Sequence, residues 1–288
     1  MKMVMVTNAS GRRERFDPKK IYRTSIRAGA TRKLANEVVD QVSREVYDGI
    51  STRKILQMVL DTLRERQAEN IASRYDLKCA IMRLGPEGFH FETFLSEVLR
   101  NHGYATRLRQ HVQGLCVEHE IDIVAEKDGR TSMVEVKFHN ASGIYTGLKE
   151  ALYTYARFLD LKQGHERGLC ESFDDAWLAT NTRASLEARR YASCKGIRLL
   201  GWKHPPKRGL ERMIEAKRLY PTTVIHDLDD KTFGSLVDAG IILLKDLAEA
   251  SPSALAESTG MDQGMARGLV DRAKMVTSNP LLGIKAEG

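Results

Sequence analysis

Residues 119–137 read HEIDIVAEKDGRTSMVEVK and decide the fold of the middle of this 288-residue chain. Apolar and polar residues alternate on both sides of Asp128-Gly129, and an Asp-Gly pair between two alternating runs is a strong hairpin signal. A two-residue turn at this pair aligns Lys127 with Arg130 and determines the register of both strands. The sequence therefore predicts an antiparallel hairpin, whose core-facing residues are Ile121, Ile123, Val134 and Val136.

Two carboxylates face each other across the predicted hairpin. The register places Asp122 opposite Glu135, with Cβ atoms roughly 4.5–5.5 Å apart, and it places Glu120 and Lys137 on the same face. Two like charges at this separation repel each other, and a hard divalent cation such as Mg2+ or Mn2+ between them would offset the repulsion. The hairpin therefore predicts a metal site; the alternative is a solvated strand face, on which exposed Glu and Lys are ordinary.

A helical segment, FHFETFLSEVLRNHGY at residues 89–104, precedes the hairpin. The order of helix, Ile121-Asp122 and then Glu135-Val136-Lys137 resembles the PD-(D/E)XK nuclease superfamily over residues 86–220, particularly Mrr-like restriction endonucleases and archaeal Holliday junction resolvases. The resemblance implies a restriction-endonuclease-like fold and a metal-dependent endodeoxyribonuclease. It also implies site residues: Asp122 and Glu135 bind the metal together with a helical acid, Glu92 or as second choice Glu97, and Lys137 positions or activates the attacking water.

Beyond the hairpin, the sequence indicates a helix, a strand, a second helix and a strand. Leucines and a tyrosine recur at helical spacing, and strand-like DAWLATN (175–181), helical SLEARRYASCKG (185–196) and strand-like IRLLGW (197–202) follow. A strand, crossover helix and strand in this order favour parallel pairing. We therefore expect a mixed sheet flanked by helices, with core packing rather than base stacking for most of the aromatic residues Tyr145, Tyr153, Tyr155 and Trp177; the helical repeat is Leu148, Leu152, Tyr155 and Leu159.

The N-terminal segment resembles the ATP-cone, a mainly helical nucleotide-binding domain, over about residues 3–85. The matching residues are Gly11, Glu14, Phe16-Asp17, Lys20-Ile21 and Thr52. The resemblance implies that ATP or dATP binds here as an allosteric ligand without being hydrolysed. Lys20, with Arg12, Arg13 or Arg15, would meet the phosphates, and Thr52 would cap a helix or touch the ligand. The alternative is a basic helical domain that docks on DNA.

The C-terminal segment, residues 221–288, resembles a tandem helix-hairpin-helix module. The two candidate hairpins are Gly240-Ile241-Ile242 and Gly260-Met261-Asp262. Many such hairpins bind a DNA phosphate through backbone N–H groups, but Asp262 would repel phosphate. Contact with DNA and contact with protein therefore stay open for this small all-α segment.

Composition sets outer bounds on the chain. The net charge of +7 is uneven: residues 1–85 hold 18 Lys and Arg against 10 Asp and Glu, whereas the C-terminal segment is net acidic. A basic N-terminal third attracts either a polynucleotide or a free nucleotide. No run of 18 apolar residues and no signal-peptide pattern occur, so we expect a cytoplasmic protein with no membrane partner. The four dispersed cysteines predict reduced, buried thiols rather than a zinc site.

Together these features predict a multidomain α/β protein. The segments are an ATP-cone at 1–85, a nuclease domain at 86–220 and a helix-hairpin-helix-like domain at 221–288, with a short connector at 84–88 between the first two. The expected partners are DNA and ATP or dATP, and assembly into a homo-oligomer stays open. The first functional hypothesis is a metal-dependent endonuclease tuned by a nucleotide. The second is a non-enzymatic, nucleotide-sensing DNA-binding regulator that keeps the nuclease fold as a scaffold.

Overall fold

The computed structural model of the chain describes residues 4–85 and 88–277. Contacts between Cα atoms divide the chain into two compact units: Met1–Ala80 with Tyr220–Gly288, and Ile81–Leu219. The N-terminal and C-terminal segments therefore fall in one unit, and the middle of the chain forms the other. The three-domain division drawn from the sequence remains a prediction, and Pro86 and Glu87 of its connector lie outside the described residues.

Nine strands lie in the described ranges, and five of them form the main sheet. The strands are β1 Met5–Thr7, β2 Arg13–Arg15, β3 Ala105–Gln113, β4 Glu118–Lys127, β5 Arg130–Lys137, β6 Tyr145–Thr146, β7 Asp175–Thr180, β8 Arg183–Ala184 and β9 Arg198–Leu200.

Thirteen α-helices and one 3-10 turn, Thr222–Val224, connect the strands within the described ranges. The helices are α1 Pro18–Arg27, α2 Arg32–Glu45, α3 Thr52–Glu65, α4 Glu69–Tyr75, α5 Leu77–Met82, α6 Phe89–Asn101, α7 Leu148–Glu166, α8 Leu186–Lys195, α9 Leu210–Lys217, α10 Asp230–Asp238, α11 Leu244–Glu249, α12 Pro252–Thr259 and α13 Gln263–Thr277.

The middle unit contains a five-stranded mixed sheet in the order β3-β4-β5-β7-β9. β3, β4 and β5 pair antiparallel, whereas β5, β7 and β9 pair parallel through the crossover helices α7 and α8. The sequence predicted this mixed α/β class, because parallel neighbours require a crossover connection. Ser185 begins α8 by accepting a hydrogen bond from the Ala188 N–H, and Gly196 ends it in the left-handed conformation.

The predicted hairpin forms with the predicted turn. Lys127 pairs with Arg130, and the ladder continues to Ile123 opposite Val134. Asp128 and Gly129 have φ angles of 52° and 73°, which is the positive-φ pair that a type I′ turn requires. Local sequence is therefore sufficient to determine the register of β4 and β5.

The N-terminal segment has its own hydrophobic core, which lies between β1 and helices α1 to α4. Asp17 accepts a hydrogen bond from the Lys19 N–H at the start of α1, where Pro18 suits the first helical position. Ser51, and not Thr52, caps α3, since the Ser51 hydroxyl accepts from the Lys54 N–H. The capping role considered for Thr52 was therefore wrong by one residue.

The C-terminal helices pack in the same unit as the N-terminal segment. Helix α13 packs against α4, and the buried Thr223 hydroxyl donates to the Ala80 carbonyl at 2.7 Å. Gly240 follows α10 and Gly260 follows α12, each with positive φ, so both predicted glycine turns connect consecutive helices. Asp262 accepts a hydrogen bond from the Met265 N–H at the start of α13, which gives this acid a capping role.

The burial of the cysteines and of two tyrosines differs from what the sequence predicted. Cys116 and Cys194 are exposed and Cys79 and Cys170 are half-buried, so the four free thiols are not buried. Trp177 is buried as expected, but Tyr145 and Tyr153 are 48% and 56% exposed. Across the described ranges, no helix combines the length and apolar character needed to span a bilayer.

Candidate active site and nucleotide site

Asp122 lies where the regular strand pairing of β4 is interrupted. The ladder with β5 ends at Ile123, and the Asp122 carboxylate oxygen Oδ2 accepts the Val136 N–H at 2.6 Å. On the other side, the ladder with β3 skips the pair formed by Asp122 and Arg109, whose φ is 48°. Strained backbone of this kind concentrates at functional sites. The structure therefore places Asp122 at an opening in the sheet rather than in a regular strand.

Glu135 is paired with an arginine from helix α7. Arg157 donates one guanidinium N–H to the Glu135 carboxylate and another to the Glu120 carbonyl. Both side chains are largely buried, at 8% exposure for Arg157 and 16% for Glu135. The ring of exposed Tyr153 lies 5.3 Å from the same guanidinium. Removing either partner would leave a buried charge uncompensated, which is costly.

Glu92 is the helical acid that the structure brings to the cluster. It lies in the first turn of α6, is buried, and accepts a hydrogen bond from Arg109 at 3.3 Å. Glu97, the second choice, instead pairs with Arg100 at 2.6 Å on the same helix. The first choice from the sequence therefore lies beside Asp122, whereas the second points to a different partner.

Lys137 is exposed beside these carboxylates. Within the described ranges its ammonium has no hydrogen-bond or ion-pair partner, and its charge lowers the pKa of Glu135. His139, two residues further, bonds to the Thr146 hydroxyl at 3.0 Å, while Asn181 binds its backbone. Burial, followed by the Lys137 charge, lowers the pKa of His139. These contacts fit the structural role expected for His139 rather than a proton shuttle.

The three carboxylates share one electrostatic environment. Burial, followed by the neighbouring Asp122 charge, raises the pKa of Glu135 to about 7. Burial also raises the pKa of Asp122 and of Glu92, in the latter case with help from Asp122. Mutual repulsion in a low-dielectric site produces shifts in this direction. The predicted set of Glu92, Asp122, Glu135 and Lys137 therefore forms one cluster.

The donor atoms of the cluster match a hard divalent cation in chemical type. The repulsion among three carboxylates with raised pKa values, one buried and two half-buried, would be relieved by a nearby positive charge, and their oxygens are the ligands that Mg2+ prefers. Among the described residues, however, no group of three or more His, Cys, Asp or Glu side chains is arranged to hold a metal ion. Arginines 109 and 157 supply the positive charge instead, and the buried Nε of Arg157 has no hydrogen-bond partner in the part of the chain that the structure describes. The carboxylates thus have the right chemistry to bind a divalent cation, but in this structure the two arginines neutralise their charge.

The raised pKa of Glu135 makes a specific prediction for stability. Its pKa of about 7 in the folded state lies above the ordinary value of 4.5, so the folded protein binds this proton more tightly than the unfolded chain. The resulting stabilisation is complete below about pH 4.5 and is lost as pH rises through 7. We expect Glu135→Gln to remove up to about 3 kcal/mol of this pH dependence between pH 5 and pH 8.

Urea unfolding at pH 5 and pH 8 measures this effect as the difference between wild type and Glu135→Gln. The difference is needed because His139 and His204, whose pKa values are lowered by burial, change stability in the opposite direction over the same range. Exposed Glu166→Gln is the matched control and should retain the wild-type dependence. The same dependence in all three proteins would show that Glu135 titrates in its ordinary range.

A second site lies in the cone, where a cavity of about 160 Å³ opens between β2, α1 and α3. Of the residues predicted to bind nucleotide, Lys20, Arg15 and Thr52 line this cavity. Arg13 instead pairs with Asp48 at 2.6 Å, and exposed Arg12 does not line the cavity. Three of the five residues that the sequence predicted to bind nucleotide therefore line one cavity.

Two further residues complete the cone cavity. Glu14 holds the Lys20 ammonium at 3.2 Å, so the lysine is oriented but remains exposed. Tyr75 lines the cavity, and burial raises its pKa to about 12, which keeps the phenol protonated. The phenol is therefore a stable hydrogen-bond group at the cavity wall.

Sequence reasoning missed the two arginines of the carboxylate cluster. Arg157 lies on the buried face of α7 with Ala151, Thr154 and Leu161. A charged residue three positions after Thr154 and four before Leu161, on the same helix face, is the signal that could have identified it, because buried charges are rare unless paired. Arg109 carries no comparable signal, since its role depends on the strained backbone of β3.

Comparison with known proteins gives three results. The family model of the ATP cone domain matches residues 4–77. An uncharacterized protein of Archaeoglobus fulgidus is 44% identical over 182 residues, which cover 63% of this chain and 99% of the relative. A crystal structure of a protein of unknown function, AF1548, aligns with a TM-score of 0.59 and 42% identity, over 67% of this chain and all of that one.

These matches confirm the N-terminal resemblance and leave the central one a prediction. The ATP cone match falls within the segment predicted from the sequence, and the relatives carry no description of an activity. The chain has an ATP-cone domain at its N-terminus and belongs to the family of the uncharacterized Archaeoglobus fulgidus protein.

Proposed function

We propose that this protein is a metal-dependent endodeoxyribonuclease whose activity is tuned by ATP or dATP bound to the cone. One observation carries the proposal: buried Glu92 and half-buried Asp122 and Glu135 all have raised pKa values beside the exposed Lys137, and the Asp122 charge contributes to the shifts of the two glutamates. Groups with perturbed pKa values around one point are typical of active sites. A surface with only a structural role would gain nothing from three repelling acids.

The topology supports the same proposal. Helix α6, the antiparallel strands β3 to β5, helix α7 and the parallel strand β7 follow in the order expected for a restriction-endonuclease-like domain. Asp122 lies near the middle of β4, and Glu135 and Lys137 lie at the end of β5, as the PD-(D/E)XK resemblance requires. Fold and site residues therefore point to one family of reactions.

The proposed roles follow from charge and exposure. Asp122, Glu135 and Glu92 would hold Mg2+ or Mn2+, which when bound lowers the pKa of a water and neutralises charge on the phosphate. Lys137 would stabilise the charge that grows on the phosphate oxygens, because its exposed ammonium has no competing partner among the described residues. Exposed Tyr153 lies against Arg157 and would meet the DNA strand.

The cone supplies the regulatory part of the proposal. Its cavity is smaller than the roughly 300–1,000 Å³ typical of ligand sites, so a nucleotide would extend from it across the exposed basic side chains of Arg15 and Lys20. A ligand shifts an equilibrium only through its different affinity for two states, typically about 1–3 kcal/mol. ATP or dATP should therefore change the cleavage rate or the subunit assembly by roughly 5–150-fold.

A panel of DNA substrates tests the proposal. Labelled single-stranded, duplex, flapped and four-way-junction DNA are incubated with the full chain in Mg2+ or Mn2+, with EDTA as the control and with or without ATP and dATP. We expect metal-dependent cleavage of at least one substrate and a nucleotide-dependent rate. Cleavage that persists in EDTA, or no cleavage of any substrate, contradicts the enzymatic proposal.

The second candidate is a nucleotide-sensing DNA-binding regulator without nuclease activity. The observation that favours it is the hydrogen bond from the Arg157 guanidinium to the Glu135 carboxylate. A metal ion would have to compete with Arg157 for this carboxylate. Under this alternative, the same substrates bind but stay intact, and ATP or dATP changes their affinity. Gel-shift measurements beside the cleavage panel separate the two candidates.

A further inference from the structure

A large basic cavity lies at the β9 edge of the sheet, away from the carboxylate cluster. Its volume is about 970 Å³, and all three residues of the edge strand β9 contribute to its lining. Trp177, which lines the cavity, pairs with Val134, and Val134 points to the opposite sheet face from Glu135. The cavity shares no residue with the cluster and is not used by the proposed function.

The charge of the cavity is one-sided. Six lysine or arginine side chains line it, and none of its described lining residues is Asp or Glu. Three of the cations, Lys207, Arg208 and Arg212, make no ion pair within the described ranges. Arg189 donates to the Ser185 carbonyl at 3.4 Å, and its charge lowers the pKa of Glu187. Arg198 is paired with Asp175 at 3.0 Å, but the remaining converging cations repel one another, so an anion would stabilise the site.

The walls of the cavity are held by contacts that do not involve these four cations. The Lys127 ammonium donates to the His102 carbonyl at 2.8 Å, and the His102 ring bonds to the Met213 carbonyl at 3.0 Å. Trp177 and Tyr104 pack edge to face at 5.7 Å. The basic side chains therefore project from a pre-formed frame, which lowers the entropic cost of binding.

The aromatic faces are already covered. Lys127 lies 4.9 Å from the ring of Tyr104, and Arg198 lies 5.5 Å from that of Trp177. Stacking of a base on either ring would require displacing these cations. The chemistry available at the cavity is therefore charge-assisted binding of anionic oxygen, for which arginine forks suit phosphate best.

We propose that this cavity binds the phosphate groups of a compact polyanion. Two sources offer that chemistry: a free polyphosphate, such as that of a nucleotide, and the terminal 5′-phosphate of a DNA strand. A cavity lined by six cations, three of which make no ion pair within the described ranges, favours several phosphate charges close together over one passing strand. The proposal concerns binding and stands whether or not the carboxylate cluster is catalytic.

Isothermal titration of the full chain tests the proposal with two probes. Inorganic tripolyphosphate represents the free polyphosphate, and one single-stranded oligonucleotide is used with and without a 5′-phosphate. We expect Arg189→Gln with Arg212→Gln to weaken binding of tripolyphosphate, or of the 5′-phosphorylated strand relative to the 5′-hydroxyl strand, by roughly tenfold or more. The probe that is affected identifies the source.

The control is Arg167→Gln with Arg190→Gln. It removes the same charge, and Arg190 neighbours Arg189 on α8, but neither control arginine lines the cavity. Equal affinities of the two double variants for both probes overturn the proposal, because binding would then follow net charge alone.

Footprinting of the wild-type chain gives a second readout that requires no variant. Saturating tripolyphosphate or 5′-phosphorylated strand should protect Lys207 from acylation of its amine severalfold, relative to exposed Lys162 on α7. Equal labelling of both lysines with either probe would overturn the assignment of the ligand to this cavity.

Discussion

Lys137→Ala is expected to reduce metal-dependent DNA cleavage by roughly 10²–10³-fold, the loss typical of removing one group that stabilises transition-state charge. The side chain is exposed and has no partner among the described residues, so the free energy of unfolding should stay within about 0.5 kcal/mol of wild type. Single-turnover cleavage of the best substrate in the panel measures the loss. Lys162→Ala, an exposed lysine on α7, is the matched control.

A second readout separates a role at the site from a general loss of charge. The Lys137 charge lowers the pKa of Glu135, so its removal should raise that pKa and shift the pH dependence of stability upward. Lys162→Ala should leave both properties unchanged. Cleavage by Lys137→Ala within threefold of wild type would exclude this lysine from the catalytic machinery.

Lys20→Ala is expected to weaken the binding of ATP or dATP by roughly 10–100-fold, because a hydrogen bond to a charged group contributes about 1.5–3 kcal/mol. Lys20 lines the cone cavity and is held at 3.2 Å by Glu14, which orients its ammonium. The ion pair is exposed, so the substitution should change stability little. Isothermal titration of the full chain with each nucleotide measures the affinity.

Lys19→Ala is the control for this prediction, since Lys19 is the preceding residue of α1, is exposed and does not line the cavity. It removes the same charge from the same helix and should retain wild-type affinity. Equal weakening in both variants would indicate attraction by net charge. Wild-type affinity in Lys20→Ala would place the phosphates elsewhere on the cone.

Helix α7 illustrates how far sequence periodicity reaches. The spacing correctly predicted a helix, but Leu148, Leu152 and Leu159 are 37%, 45% and 38% exposed, and the buried face carries Ala151, Thr154, Arg157 and Leu161. A Cβ added at Gly164 of this face would lie 2.8 Å from the Gly114 backbone. The small residues on this face allow α7 to approach the backbone at Gly114 more closely than larger leucines would. Side-chain size therefore decides which face of α7 is buried, rather than hydrophobicity alone.

The sequence by itself determined the features that depend on near neighbours. The Asp128-Gly129 turn set the register of β4 and β5. Ser185 and Gly196 cap the two ends of α8, and the order of strands and helices indicated the mixed sheet. Each of these depends on residues a few positions apart or on chain order, where steric and hydrogen-bonding preferences act directly. The cone was recognisable for a similar reason, since its matching residues lie within one segment.

Only the tertiary structure decided how distant segments meet. Arg157 reaches Glu135 across 22 positions, and Asp122 takes its hydrogen bond from Val136 instead of continuing the ladder. The basic cavity draws residues from positions 102 to 216, and helix α13 packs on α4 of the cone. Such contacts depend on which of several compatible faces pack together, and that choice minimises buried unpaired charge and empty space over the whole unit, which no local pattern encodes.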